Sequence, residues 1–154
     1  MKTTHVLALL LAPVLLSNCR DSGTTASDIK TEIATAGDVT FAKSTFESLA
    51  RGDSAVAGKI DWPVFTAMGT NVGSAYVEAT SGVEKEKIVS GFITGFASSF
   101  RDSGGSVEAF TNWRVSLHDK LRTEVAADSP GGVMTITVSA RDGVERVSSI
   151  NLVK

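Results

Sequence analysis

The stretch Glu84–Phe100, EKEKIVSGFITGFASSF, constrains this chain more than any other. Charged residues fill its first turn and are then absent from the thirteen residues Ile88–Phe100. At the helical period of about 100° per residue, Ile88, Val89, Phe92, Ile93, Phe96 and Phe100 fall within an arc of roughly 140°. Gly91, Gly95 and Ser98 make a small-residue ridge beside that arc, with Ser90 and Thr94 on the far side. A helix of this kind draws its stability from whatever covers its apolar face, because helix propensity alone is marginal in water. It is also too short for a bilayer, since thirteen uncharged residues fall below the roughly 20 that a span needs. The Gly91-x-x-x-Gly95 spacing is therefore read as close packing inside one domain, and not as membrane pairing. The stretch locates a core. It does not locate an active site.

Composition narrows the function classes. The 154 residues fit one domain once a targeting segment is removed, and 42% apolar with 21% charged residues is ordinary for a globular chain. The formal charge is −2, or −3 without the leader and its Lys2, and so provides no basic stripe for nucleic acid. The one cysteine, Cys19, excludes an intrachain disulfide framework. With His5 inside the leader and His118 alone, too few ligands remain for a protein-only zinc site. Gly104-Gly105 and Gly131-Gly132 have no phosphate-loop pattern, and no G-x-S-x-G stretch exists, so no cofactor is implied.

The amino terminus carries the most specific signal. Lys2 precedes the eleven-residue apolar run Val6–Leu16, which is long enough for a secretory core and too short to span. It ends Leu16-Ser17-Asn18-Cys19, and these residues resemble the lipobox of bacterial lipoproteins, departing from it at Asn18, where Gly, Ala or Ser is usual. The resemblance implies that residues 1–18 are a lipoprotein signal peptide and that Cys19 is lipidated and holds the protein to a membrane. Stable anchoring needs more than one acyl chain, which a diacylated, N-acylated cysteine supplies. The alternatives are an ordinary secretory leader cut after Cys19, giving a secreted or periplasmic protein, and a buried N-terminal helix. Residues 19–37 are polar and rich in small residues, which reads as a flexible tether. Arg20 follows Cys19 where sorting rules place Asp for inner-membrane retention. In an envelope with two membranes, the outer one is then the default.

The domain proper is assigned to residues 38–154. Asp38 is read as the N-cap of a helix to Arg51 with Val39, Ala42, Phe46, Leu49 and Ala50 on one face. Gly52 ends it, and Asp53 caps a short second helix through Ile60. Asp61-Trp62-Pro63 starts another, running to about Met68, and Asn71–Thr80 is a fourth helical piece ahead of the long apolar one. From Val107 the period changes to two: Val107, Ala109, Thr111, Trp113, Val115 and Leu117 share one face of a strand. Strands at Leu121–Ala127, Gly132–Ala140 and Glu145–Val153 follow, the last two joined by the type I′ hairpin signal Asp142-Gly143. Helices first and strands after give an α+β fold, with an antiparallel meander curled around the long helix.

This order of elements, together with Phe46-Glu47-Ser48-Leu49-Ala50-Arg51-Gly52-Asp53 and the terminal hairpin, resembles the nuclear transport factor 2-like superfamily of cone-shaped α+β domains. The resemblance implies a curved sheet closing around a helix, often with a pocket at the open end. It also implies a choice between enzymes of isomerase or dehydratase type and non-catalytic binding or assembly modules. Fold likeness does not choose between them.

Three functional expectations follow. The first is a non-catalytic envelope domain that binds a small apolar ligand or a protein partner, with Trp62, Phe92, Phe96 and Trp113 as candidate pocket residues. The second is a pocket enzyme in which Asp61, Tyr76 or His118 serves as acid, base or donor facing an apolar site. The blander role of Asp61 is a helix cap, of Tyr76 a core-edge aromatic, and of His118 a solvated turn. Trp62 and Trp113 are equally read as core cover and core packing. The third expectation is an assembly subunit, forming a homodimer through the outer sheet face that carries Thr135, Thr137 and Ser139.

Overall fold

The computed structural model describes residues 26–154, with side chains from residue 35. The expected signal peptide, Cys19 and Arg20 lie outside the described residues. Helix α1 spans Ala26–Arg51, so Asp38 lies inside a helix and is not its N-cap, and residues 26–37 of the expected tether are helical. Gly52, at φ 76°, turns the chain out of α1, and Asp53 accepts a hydrogen bond from the Ala55 N–H at 2.9 Å to start a 3-10 segment, Ser54–Lys59. A second 3-10 turn, Trp62–Val64, replaces the helix expected to run to Met68. It gives way to two short strands, β1 (Thr66–Ala67) and β2 (Thr70–Asn71). Strands therefore appear before the last helices, where the sequence reading placed none. Two-residue strands leave too little alternation to show a period.

Helix α2 (Val72–Glu78) and the long helix α3 (Gly82–Asp102) follow. α3 opens with a capping box: the Ser81 hydroxyl accepts from the Glu84 N–H, and the Glu84 carboxylate accepts from the Ser81 N–H. The last four strands are β3 (Thr111–His118), β4 (Arg122–Ser129), β5 (Gly132–Arg141) and β6 (Val144–Val153). The sheet order is β2-β1-β6-β5-β4-β3, antiparallel throughout except that β1 runs parallel to β6. Asp142 and Gly143 both adopt positive φ, 54° and 75°, as the expected hairpin requires. β3 starts later than expected, because Val107–Ala109 forms a 3-10 turn. Register shifts between Thr111 and Arg114 and between Val115 and Leu117 interrupt its pairing with β4, and Trp113 packs against the core while Leu117 is exposed.

The fold is α+β, a sheet curled over helices. The helix seated most directly against β3, β4 and β5 is α1, through Ala42, Phe46 and Leu49, all buried. α3 lies across α1 and the first 3-10 segment. Its Phe row packs on the same core, with Ile93 and Ala97 fully buried and Phe92, Phe96 and Phe100 half-buried. Gly91 and Gly95 are exposed, with open space within 4 Å of where a Cβ would stand, so the small-residue ridge is not a packing surface. The apolar arc uses up the face turned to α1, and no element among the described residues covers Gly91 and Gly95 beside it. No helix among the described residues is long and apolar enough to cross a membrane.

Candidate functional site

The C-terminal end of α3, the loop after it, the β4–β5 turn and the end of β6 converge around Phe46 without filling the space between them. They leave a cavity of about 490 Å³. Phe46 forms its floor, meeting Phe100 edge-on at 5.7 Å and 90° and Phe110 at 4.7 Å and 62°. Phe96 and Phe100, one helical turn apart, stack at 6.3 Å with rings 8° from parallel, because positions four apart share a face. Met134 from β5 and Leu152 from β6 supply the sheet wall, and Met68 from the β1–β2 turn adds to the rim. Gly105 allows the loop to pass this close, since a Cβ there would lie 2.6 Å from the Phe100 carbonyl oxygen and 2.7 Å from its ring.

The mouth is polar but uncharged. Ser99, Ser103, Ser106 and Ser129 line it, and no Asp, Glu, Lys, Arg or His among the described residues does. Nearby, Glu108 accepts a short hydrogen bond from the Ser106 hydroxyl, which holds its carboxyl below the ordinary 4.5. Such a space takes apolar matter, and Ser106 is the one lining hydroxyl bonded to a carboxylate among the described residues.

Only Phe96 of the four expected pocket residues lines this cavity. Trp62 is buried, donates its indole N–H to the Ala57 carbonyl at 2.8 Å and packs on Phe65, so it is part of the core. Phe92 packs edge-on against Phe65 at 5.2 Å. Trp113 is half-buried and donates its indole N–H to the Phe110 carbonyl at 2.9 Å, bracing the loop behind the cavity. The remaining walls were not legible as a site. Phe46 and Met134 read as core positions, and Phe110 fell in a stretch taken for alternating strand.

Of the candidate acid–base residues, Asp61 and Tyr76 line one cleft, and His118 is not in its lining. Asp61 is only 5% exposed. It stands at the cap position before Trp62–Val64 but makes no side-chain cap bond, and its carboxylate instead accepts from the Arg141 guanidinium at 3.2 Å. Tyr76 borders the cleft that Asp61, Trp62 and Arg141 also line, lying between the Trp62 ring, stacked at 6.4 Å, and the Lys85 ammonium, 5.2 Å from the Tyr76 ring centre. Its faces are thus occupied, and no hydrogen bond joins Tyr76 to Asp61 among the described residues. His118 is exposed, but its Nδ1 lies 2.8 Å from the Thr123 hydroxyl, which itself donates to the buried Asp38 carboxylate. One hydroxyl has one proton, so the imidazole must donate Nδ1–H to Thr123. His118 belongs to a polar clasp between α1 and the sheet and not to a simple solvated turn.

No protein-family model matches the chain, and neither a curated protein nor a solved structure matches it significantly. What it binds has to be argued from its own geometry.

Proposed function

We propose that this is a lipid-anchored protein of the bacterial envelope whose domain binds a small apolar ligand in the cavity above Phe46. The observation that carries the binding reading is an apolar cavity of about 490 Å³ lined by no charged side chain among the described residues. Each Å² of apolar ligand surface removed from water there contributes roughly 25 cal/mol. The anchoring reading rests on the leader and its lipobox-like end at Cys19. The resemblance of the sequence to nuclear transport factor 2-like domains implies a pocket at the open end of the sheet, which supports this reading.

The test uses a neutral apolar dye that brightens in dry surroundings. Ser99 is exposed on α3 at the mouth, so Ser99→Trp fills the cavity without removing core atoms. Dye affinity should fall about tenfold or more, equivalent to roughly 1.4 kcal/mol, while the urea midpoint stays in place. Dye that binds the variant as well as the parent, or fails to bind the parent, defeats the reading. For the anchor, supplied palmitate should label the protein and leave Cys19→Ala unlabelled.

A protein partner at the outer sheet face is the second reading. It is favoured by a hydroxyl band, flanked by Arg122 and Glu124 on β4, in which Ser149 donates to the Thr137 hydroxyl at 2.8 Å beside Ser139. A homodimer through that band should dissociate in Thr137→Arg, as read by sedimentation equilibrium. A parent chain that is monomeric at every concentration removes this reading.

A further inference from the structure

The serines at the mouth are already committed in one direction. Ser103 donates its hydroxyl proton to the Phe100 carbonyl at 2.8 Å, and Ser129 donates to the Gly132 carbonyl at 2.9 Å. Ser106 donates to the Glu108 carboxylate. A hydroxyl has one proton and two acceptor positions, so these three groups face an incoming molecule with lone pairs only. Ser99 alone makes no side-chain hydrogen bond among the described residues and keeps both options.

The wider field has the same sign. The mouth sits at the C-terminal end of α3, where aligned peptide dipoles place partial negative charge, and Glu108 adds a full one. Arg101, the basic residue of that last turn, does not line the cavity, and its guanidinium lies 3.5 Å from the Ser98 hydroxyl. An anionic head group would have to rotate hydroxyls away from their carbonyl acceptors and lose its own hydration beside apolar walls. A cationic one would lose its hydration against the same walls without a carboxylate in the lining to receive it.

The geometry points to a ligand with an apolar body and a neutral hydrogen-bond donor at one end, an alcohol or a primary amide, and against free fatty acids. This deepens the pocket reading above and rests on it. The donor end lies at the mouth among Ser103, Ser106 and Ser129, and the apolar body lies on Phe46, Phe100 and Met134.

The experiment is displacement of bound N-phenyl-naphthylamine from the full chain at neutral pH by octanol, octyl methyl ether and octanoate. The ether is more apolar than the alcohol but can only accept, so hydrophobicity alone favours it. Octanol should displace the dye at about tenfold lower concentration than either competitor. In the double variant Ser103→Ala with Ser129→Ala, the preference of alcohol over ether, each referred to that variant's own dye affinity, should shrink at least about threefold. Ether or octanoate matching octanol in the parent chain overturns the donor assignment and leaves the pocket standing, as does a preference that survives the double variant undiminished. Failure of the dye to bind the parent overturns both.

Discussion

Around Phe46, α1 and the sheet meet through aromatic rings and leave about 490 Å³ unfilled. Eight residues earlier on the same helix, Asp38 closes the interface through Thr123 to His118. The two places are about 12 Å apart along one helix axis. Apolar contacts are non-directional, so large rings that meet edge-on tolerate an open space beside them, which a ligand can occupy. A buried carboxylate tolerates no vacancy, because every unpaired polar atom there costs desolvation. One end therefore leaves room beside its rings, and the other holds α1 in register.

The comparison is broken most severely at its shared hinge. Phe46→Ala removes the floor of the cavity and a fully buried ring, and should cost about 3–5 kcal/mol in urea unfolding as well as abolish dye binding. A loss below about 1 kcal/mol would mean that the ring does not join the two ends. Thr123→Val separates them. It leaves the Asp38 carboxylate buried without its hydroxyl and should cost about 1–3 kcal/mol, with dye affinity unchanged within about twofold. If dye affinity falls with stability, the clasp shapes the cavity and the two ends are one unit.

Ser81→Ala is the control outside both regions. It removes half of the α3 capping box and should cost about 1 kcal/mol with no change in binding. The smallest effect is acid sensitivity. Asp128, near the cavity, is held below the ordinary 3.8 first by the Asn112 side chain and then by Arg114. Asp119, at the other end, is held below the same value first by the Leu121 N–H. A carboxyl depressed in the folded state stabilises at neutral pH, and that contribution is lost as pH falls below 3.8 through the folded value. Asp128→Asn and Asp119→Asn should each flatten the acid limb of a plot of urea midpoint against pH, slightly because both groups are exposed. A limb that steepens in either variant would reverse the sign argued here.

Much of the fold was legible because its signals are local. Ala42, Phe46 and Leu49 read as one helical face and are buried. Met134, Ile136 and Val138 alternate as expected and face the core, and Asp142-Gly143 makes its turn. The misreadings occurred where local signals were absent or misleading. The polar residues before Asp38 read as tether, yet α1 begins at Ala26. Leu121 read as the start of a strand, yet it lies in the turn before β4 and is 80% exposed. The capping pattern Ser81-x-x-Glu84 was available in the sequence and is the signal that fixes where α3 starts.

By itself, the sequence determined the α+β class, the strong turns and the apolar residues around which the chain closes. These depend on periodicity and on backbone preferences acting over a few residues. Only the tertiary structure decided that α1 lies directly on the sheet, that Asp38 finds Thr123 across 85 positions, and that the space above Phe46 stays open. Those outcomes depend on which surfaces the packed chain brings together. An unfilled volume belongs to all of its walls at once and is written in no single stretch of sequence.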